Sequence, residues 1–152
     1  YVGDGNNMAH SLLYGCTKVG MDISVATPDK YKCDETVMSN ALKIAEETGS
    51  KVEFTNNPEQ AMKNADAVYT DTWVSMGMED EKQQRIKDFA GFEVNRELMD
   101  IAKSDAIFLH CLPAYRGYEV SADVIDGKQS VIFDEAENRL HAQKAVMATL
   151  MR

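Results

Sequence analysis

Long apolar runs are absent from this 152-residue sequence, and no stretch approaches the ~18–20 residues that a membrane-spanning helix needs. Cysteine is scarce: the three residues include no Cys-x-x-Cys pair, so neither a disulfide framework nor a zinc site is expected. Basic residues are outnumbered 16 to 25, and they form no block that would neutralise a phosphate backbone. We therefore expect a cytoplasmic protein with no metal, no membrane contact and no nucleic-acid partner.

The remaining composition, 44% apolar and 27% charged, is that of a globular chain with one core, and it excludes disordered and fibrous classes. The sequence begins at Tyr1 and enters a glycine-rich segment at once, as though a buried strand were just ending. We therefore expect a piece of a longer protein, in which any targeting segment would precede Tyr1.

Strand-like runs alternate with helical patterns along the chain, which is typical of β-α-β units around a parallel sheet. Residues rich in β-branched and aromatic types predict strands at 1–3, 22–26, 51–55, 67–70, 106–109 and 131–133. Apolar spacing and capping residues predict helices at 7–19, 34–48, 57–64, 79–89, 95–102 and 135–151. The expected fold is α/β: one three-layer, Rossmann-like domain over residues 1–152, with a mostly parallel sheet and helices on both faces.

Three irregular segments follow predicted strands, at residues 3–7, 71–77 and 110–117. Ligands of open parallel sheets bind outside the carboxyl ends of the strands. We therefore expect these three segments to face the same side of the molecule.

The first of them, Gly3-Asp4-Gly5-Asn6-Asn7-Met8, permits three interpretations. A dinucleotide loop would need a third glycine where Met8 stands, and an acid at the end of the next strand. A tight turn capped by Asn fits these residues better. The third interpretation is a helix N-terminus that holds a substrate carboxylate.

The second segment, Asp71-Thr72-Trp73-Val74-Ser75-Met76-Gly77, offers groups that an amino acid would need. A carboxylate suits its ammonium group, and hydroxyl or amide donors suit its carboxylate. The alternative is structural: Asp71 caps the following turn and Trp73 is anchored in packing.

The third segment begins with His110-Cys111-Leu112-Pro113. Cys111 is a weak nucleophile candidate, because no His and Asp partners are spaced to activate it and His110 should point to the opposite side. A buried inert thiol is the alternative, and Cys16 and Cys33 are expected to be structural. Near the start of the last helix, Glu135 and Glu137 suit the helix dipole, whereas Arg139 is either an anion or carbonyl contact or a surface ion pair.

Together these segments resemble the ornithine carbamoyltransferases, specifically their C-terminal, ornithine-binding domain. The matching motifs occur in the order of that family: Gly3-Asp4-Gly5-Asn6-Asn7 with His10, Asp71 to Gly77, His110-Cys111-Leu112-Pro113, and Phe133-Asp134-Glu135-Ala136-Glu137-Asn138-Arg139. The resemblance implies transfer of a carbamoyl group from carbamoyl phosphate to the δ-amine of L-ornithine, without a cofactor, by a homotrimer or a multiple of trimers.

The resemblance also implies residue roles. Asn7 and the backbone amide of Met76 would hold the ornithine α-carboxylate, while Asp71 and Ser75 would bind the α-ammonium. Cys111 would lie against the δ-amine as proton acceptor and orienter.

The carbamoyl end of the site would be contacted by Cys111, the Leu112 carbonyl and Arg139, with a cis Leu112-Pro113 bond. The Ser-Thr-Arg-Thr-Arg type segment that grips phosphate in the family is absent from this sequence. We therefore expect the carbamoyl-phosphate domain to lie elsewhere in the same polypeptide and this piece to be nearly inactive alone. Carbamoyl transfer to putrescine or an N-acylated ornithine, and a nucleotide-binding module, are the alternatives.

Overall fold

The computed structural model describes residues 1–75 and 77–151. Its helices are α1 (Asn7–Lys18), α2 (Glu35–Thr48), α3 (Pro58–Met62), α4 (Lys82–Asp88), α5 (Arg96–Met99), α6 (Ala122–Ile125) and α7 (Ile132–Leu150). Its strands are β1 (Ile23–Ala26), β2 (Val52–Thr55), β3 (Ala67–Thr70) and β4 (Ile107–His110). Short 3-10 turns at Asp29–Tyr31 and Glu79–Glu81 precede α2 and α4.

The strands form two parallel pairs, β1 with β2 and β3 with β4. Residues 1–3 lie between the pairs: Val2 bridges to Ala26 on one side, and its amide donates to the Tyr69 carbonyl oxygen, 3.0 Å away, on the other. The backbone therefore runs as a parallel sheet in the order β2, β1, residues 1–3, β3, β4. This confirms the predicted Rossmann-like α/β fold.

Capping chemistry accounts for the helix boundaries that were predicted correctly. The Asp34 carboxylate accepts hydrogen bonds from the backbone amides of Thr36 and Val37, as an N-cap of α2 should. That helix ends at Gly49, whose φ of 80° is a left-handed conformation that glycine adopts without steric cost. Pro58 is the first residue of α3, the helical position at which a missing amide costs least.

The predicted strand at 131–133 is wrong. Only Ser130 pairs beside Phe108, as an isolated bridge, and Val131 is already the N-cap of α7. The helix therefore begins three residues earlier than the 135 predicted, and its first turn carries Asp134 and Glu135, which the helix dipole favours. The short helix α6 was not predicted.

Buried apolar side chains form two clusters. The smaller one joins α1, β1 and α2 through Ala9, Leu13, Val25, Cys33 and Ala41. The larger one includes Val68, Trp73, Phe89 and Phe108 and underlies β3 and β4. Helix α7 leaves this core early, because every residue from 136 to 150 is exposed. Within residues 1–75 and 77–151, no helix has both the length and the apolar character to cross a membrane.

Candidate active site at the ends of strands β3 and β4

Parallel register brings Asp71 and Cys111 together. Thr70, the last residue of β3, is paired with His110, the last residue of β4, so the next residue of each strand emerges at the same edge. There the Cys111 thiol donates a hydrogen bond to Asp71 Oδ1, with 3.1 Å between the heavy atoms. Asp71 is buried and Cys111 half-buried. The expected meeting of the second and third irregular segments is therefore confirmed.

The surroundings of the Cys111 thiol favour its protonated form. Burial raises its pKa to about 12, and the Asp71 carboxylate adds to this by accepting the thiol proton and by its negative charge. A thiolate is therefore scarce near neutral pH. In the hydrogen bond between the two residues the acceptor is Asp71, and the role of Cys111 as proton acceptor for a substrate amine stays a prediction.

His110 lies fully buried behind Cys111 and joins two loops. Its Nδ1 accepts a hydrogen bond from the Leu112 amide at 2.9 Å, and its Nε2 is 3.3 Å from Glu119 Oε1. The same Glu119 oxygen accepts the amide of Tyr115 at 2.6 Å. Glu119 is 1% exposed, which makes it a carboxylate inside the core. Sequence reasoning missed Glu119, because nothing in its local sequence indicates burial.

Leu112 has an unusual backbone. The Leu112-Pro113 bond is cis, as expected, and the φ of Leu112 is 58°. A left-handed conformation costs a residue with a Cβ roughly 1–2 kcal/mol, so it persists only where the surroundings fix it. The bond from the Leu112 amide to His110 is one such constraint.

Glu135, predicted to serve only the helix dipole, ties α7 to both strands. One carboxylate oxygen accepts the Tyr69 hydroxyl at 2.5 Å and the other accepts the His110 amide at 2.9 Å. Burial and the hydrogen bond to Glu135 raise the pKa of Tyr69. The start of α7 is thus fixed against the carboxyl ends of β3 and β4.

In the loop after β3, some side chains serve packing or turn capping, and others remain partly accessible to a ligand. Trp73 is buried and stacks on Phe89 with ring centroids 5.3 Å apart, which bears out its structural interpretation. Asp71 Oδ1 also accepts the Thr72 amide at 2.8 Å, so Asp71 caps the turn as well as facing Cys111. Ser75 is half-buried, and Met76 lies outside the described residues.

A buried ion pair joins this loop to the glycine segment. Arg85 Nη1 lies 2.7 Å from Asp4 Oδ2 and also donates to the Trp73 carbonyl oxygen at 3.0 Å. Burial raises the pKa of Asp4, and the Arg85 guanidinium opposes that shift. Arg85 therefore sets the position of the loop relative to the glycine segment.

In the glycine segment, the space beside Gly5 is filled by backbone atoms of residues 31–33. A Cβ on Gly5 would lie 2.5 Å from both the Lys32 carbonyl carbon and the Tyr31 oxygen, and the Gly5 amide donates to that same oxygen at 2.9 Å. Residues 31–33 thus occupy the space that a dinucleotide pyrophosphate would need beside this glycine. The tight-turn interpretation is supported here, and the dinucleotide interpretation is not.

Asn7 and Arg139 occupy exposed positions. Asn7 is the first residue of α1, where the first turn has no acid and the N-cap Asn6 makes no side-chain capping bond. Arg139 lies about two turns into α7 rather than at its start. Neither side chain has a hydrogen bond or ion pair to the residues that the structure describes.

Three potential metal-ligand side chains lie close together at this edge. One potential ligand atom from each of Asp71, His110 and Cys111 lies within 4.8 Å of the others, a grouping that sequence spacing did not predict. Both His110 nitrogens and the Cys111 thiol already have hydrogen-bond partners, so a metal would have to displace these bonds.

Comparison with known proteins agrees with this geometry. Residues 1–150 match the family described as aspartate/ornithine carbamoyltransferase, Asp/Orn binding domain. An ornithine carbamoyltransferase of Caldicellulosiruptor saccharolyticus is 62% identical over 97% of this chain and 48% of its own length. The solved ornithine carbamoyltransferase of Pyrococcus furiosus is 55% identical over 97% of this chain and 47% of its own, with a TM-score of 0.93. The chain spans about half the length of the relatives it matches, and it belongs to the aspartate/ornithine carbamoyltransferase family.

Proposed function

We propose that the protein containing this chain transfers the carbamoyl group of carbamoyl phosphate to the δ-amine of L-ornithine, giving L-citrulline and phosphate. The observation that carries this proposal is the Asp71–Cys111 pair at adjoining strand ends, in a chain 62% identical to an ornithine carbamoyltransferase. Residues 1–152 would form the ornithine-binding domain.

The two ends of ornithine would be held by groups of opposite character. The amides at the start of α1 and the Asn7 side chain suit the α-carboxylate, because a helix N-terminus favours negative charge. Asp71 and Ser75 suit the α-ammonium, and the Met76 amide would complete the carboxylate contacts. This arrangement would direct the δ-amine toward Cys111.

The reaction needs a neutral amine, although an alkylamine has a pKa near ~10.4. The nitrogen attacks the carbonyl carbon, a carbon–nitrogen bond forms, the bond to the phosphate oxygen breaks, and phosphate leaves with that electron pair. In our proposal the δ-nitrogen lies against Cys111, which orients it, and the proton that the nitrogen loses on attack passes to the hydrogen-bonded Cys111–Asp71 pair.

The carbamoyl group would be contacted by Cys111, by the Leu112 carbonyl oxygen and by Arg139. Arg139 would stabilise the oxygen that gains negative charge in the tetrahedral intermediate. Its exposure on α7 is compatible with a site completed by a second domain.

That second domain would supply the phosphate-binding groups. The relatives are about twice the length of this chain, and α7 exposes the apolar side chains of Leu140, Val146, Met147 and Leu150. A full-length enzyme would bury such surface. We further propose a cytoplasmic homotrimer, or a multiple of trimers, with no cofactor.

The test is citrulline formation by the full-length protein. L-Ornithine, putrescine and N-acetylornithine are compared as acceptors, with carbamoyl phosphate as the donor. We expect turnover with ornithine, a kcat/KM at least ~100-fold lower for the other two acceptors, and nearly no activity in the 152-residue chain alone. Preferred use of putrescine or N-acetylornithine would replace the proposed substrate, and tight NAD binding without any transfer would contradict the function.

The site residues are tested in the same protein. Cys111→Ala and Asp71→Asn are expected to lower kcat/KM at least ~100-fold, as loss of a positioned acid–base group does. Cys16→Ala removes a half-buried thiol outside the site and serves as the matched control. Activity within a few-fold of wild type in both site variants would refute these roles.

A further inference from the structure

We propose that His110 and Glu119 are positioning residues for the carbamoyl-transfer step: Glu119 fixes the His110 ring, and the ring fixes the Leu112 backbone. The inference rests on the proposed function, because it is the Leu112 carbonyl that would contact the carbamoyl group. Neither residue would touch a substrate, since both are fully buried.

The hydrogen bonds determine which ring nitrogen carries the proton. His110 Nδ1 accepts from the Leu112 amide, so it cannot itself bear hydrogen. In the neutral ring the proton is then on Nε2, which donates to Glu119 Oε1. The carboxylate has only acceptors to offer, so it enforces this tautomer.

Glu119 Oε1 also binds the backbone of the loop that follows β4. It accepts the Tyr115 amide at 2.6 Å, which ties residue 115 to the ring that holds residue 112. Residues 112 and 115 are thereby fixed to one buried centre at the end of β4.

The conformation of Leu112 indicates why such a centre is needed. Its φ of 58° is one that leucine rarely adopts, so the carbonyl direction depends on external constraints. A buried carboxylate is costly unless its hydrogen bonds are made, and an apolar pair would fill the same space at less cost. The placement of this pair against the strained residue assigns it a role in directing the site.

Two histidine variants of the full-length enzyme distinguish the hydrogen bond from the Leu112 amide to His110 Nδ1 from the one between His110 Nε2 and Glu119. In His110→Asn the amide oxygen stands near the Nδ1 position and keeps an acceptor for the Leu112 amide. In His110→Gln the amide stands near the Nε2 position and keeps a partner for Glu119 only. Misplacement of a reacting group by about 1 Å costs on the order of 100-fold in rate.

We therefore expect kcat to fall at least ~10-fold further in His110→Gln than in His110→Asn, with a higher KM for carbamoyl phosphate. The KM for ornithine should stay within about threefold, because its contacts lie on Asp71, Ser75 and α1. Glu119→Gln, which keeps an acceptor oxygen, should retain more kcat than Glu119→Leu.

A merely structural pair predicts a different pattern. Both histidine variants would then lose melting temperature and activity together, with no difference in kcat between folded samples. Equal kcat in the two variants would overturn the proposal. His141→Asn is the matched control, since His141 faces Glu137 at 3.2 Å in an exposed pair, and its kcat should be unchanged.

The tautomer supplies a readout that does not require catalysis. Nitrogen NMR of the full-length protein with labelled histidine, assigned by comparison with His110→Gln, should show the proton on Nε2. A proton on Nδ1 would overturn the proposal even in an active enzyme. Absence of citrulline formation by the wild type, with the Nε2 form present, would refute the proposed function and leave the positioning geometry standing.

Discussion

The two halves of the sheet end differently at their carboxyl edge. At β3 and β4 the strand ends carry buried or half-buried polar groups with hydrogen-bond partners: Cys111 bonds to Asp71, and His110 bonds to the Leu112 amide and lies beside Glu119. At β1 and β2 the edge opens on a cavity of about 380 Å³, where Asp29 and Lys32 form an ion pair with both side chains more than half exposed.

The difference shows that strand ends alone do not make a site. Both edges have the topology at which α/β proteins bind ligands. Among residues 1–75 and 77–151, the β3–β4 edge carries buried acids such as Asp71 and Glu119, in a low-dielectric setting where hydrogen bonds and pKa values respond strongly to neighbours. Between the two edges, residues 31–33 pack against Gly5 and fill the space beside it.

The Asp4–Arg85 pair, which links the two regions, should give the largest stability effect. Arg85→Met leaves a buried Asp4 carboxylate without its cation, which costs ~3–5 kcal/mol in the free energy of unfolding. Urea unfolding of the 152-residue chain measures it. Arg116→Met is the control, because its ion pair with Asp126 is half-exposed and contributes at most ~1 kcal/mol. Equal losses in the two variants would contradict the role assigned to burial.

Gly5→Ala should come next. The added Cβ meets the backbone at residues 31–33, which cannot move as a flexible side chain would, so we expect a loss of ~1–3 kcal/mol or more. The same unfolding measurement applies. An unchanged stability would mean that the glycine segment is not closed by packing.

Asp71→Asn should make Cys111 more reactive. Burial is the first cause of its raised pKa, and the Asp71 hydrogen bond and charge follow, so removing the carboxylate lowers the pKa from about 12. Each pKa unit changes the thiolate fraction about tenfold at a pH below the pKa, and we expect alkylation at pH ~8 to be at least threefold faster.

Cys33 is the internal reference for this experiment. Burial and Asp4 raise its pKa to about 11, and Asp71 is not among the causes. Mass spectrometry of both peptides measures the two rates in one sample. A rate increase at Cys33 equal to that at Cys111 would indicate general loosening rather than a local electrostatic effect.

Gly15→Ala should give the smallest effect and the opposite sign. Gly15 lies within α1, and nothing lies within 4 Å of the position that its Cβ would take. Alanine is favoured over glycine inside a helix by about 1 kcal/mol, so a gain of ~0.5–1 kcal/mol is expected. Thermal unfolding beside Gly5→Ala compares the two glycines directly, and a loss at Gly15 would contradict the open space there.

The sequence predicted the elements whose boundaries depend on local chemistry. Asp34, Gly49 and Pro58 mark helix ends through their own side chains or backbone, and the structure agrees at each. The predicted strand at 131–133 failed because its β-branched and aromatic residues suit either state. Here the helix is favoured, because Asp134 and Glu135 suit its first turn and the strand pairing consists of a single bridge at Ser130.

The residues of the candidate site also fall into those that the sequence predicted and those that it did not. Asp71 was singled out because it stands directly after a strand-like run, whereas Cys111 was a weak candidate from its local pattern and received its role from the family resemblance. The parallel register then places the two side by side. Glu135 was missed as a site residue because its partners are distant in sequence: it meets Tyr69 across 66 positions. Glu119 was missed although His110 is only 9 positions away, because its burial depends on how the loop folds back on the end of β4. A charged residue in one local pattern does not reveal whether it will be buried.

By itself, the sequence determined the α/β alternation, the glycine turn and the motifs that assign the chain to its family, because local propensities and motif order are properties of the chain. The tertiary structure alone decided that the Cys111 thiol is hydrogen-bonded to Asp71 and that Glu119 lies beside the His110 ring. The physical reason is that pKa values and tautomers depend on burial and on neighbouring charges, which are set only when distant segments pack together.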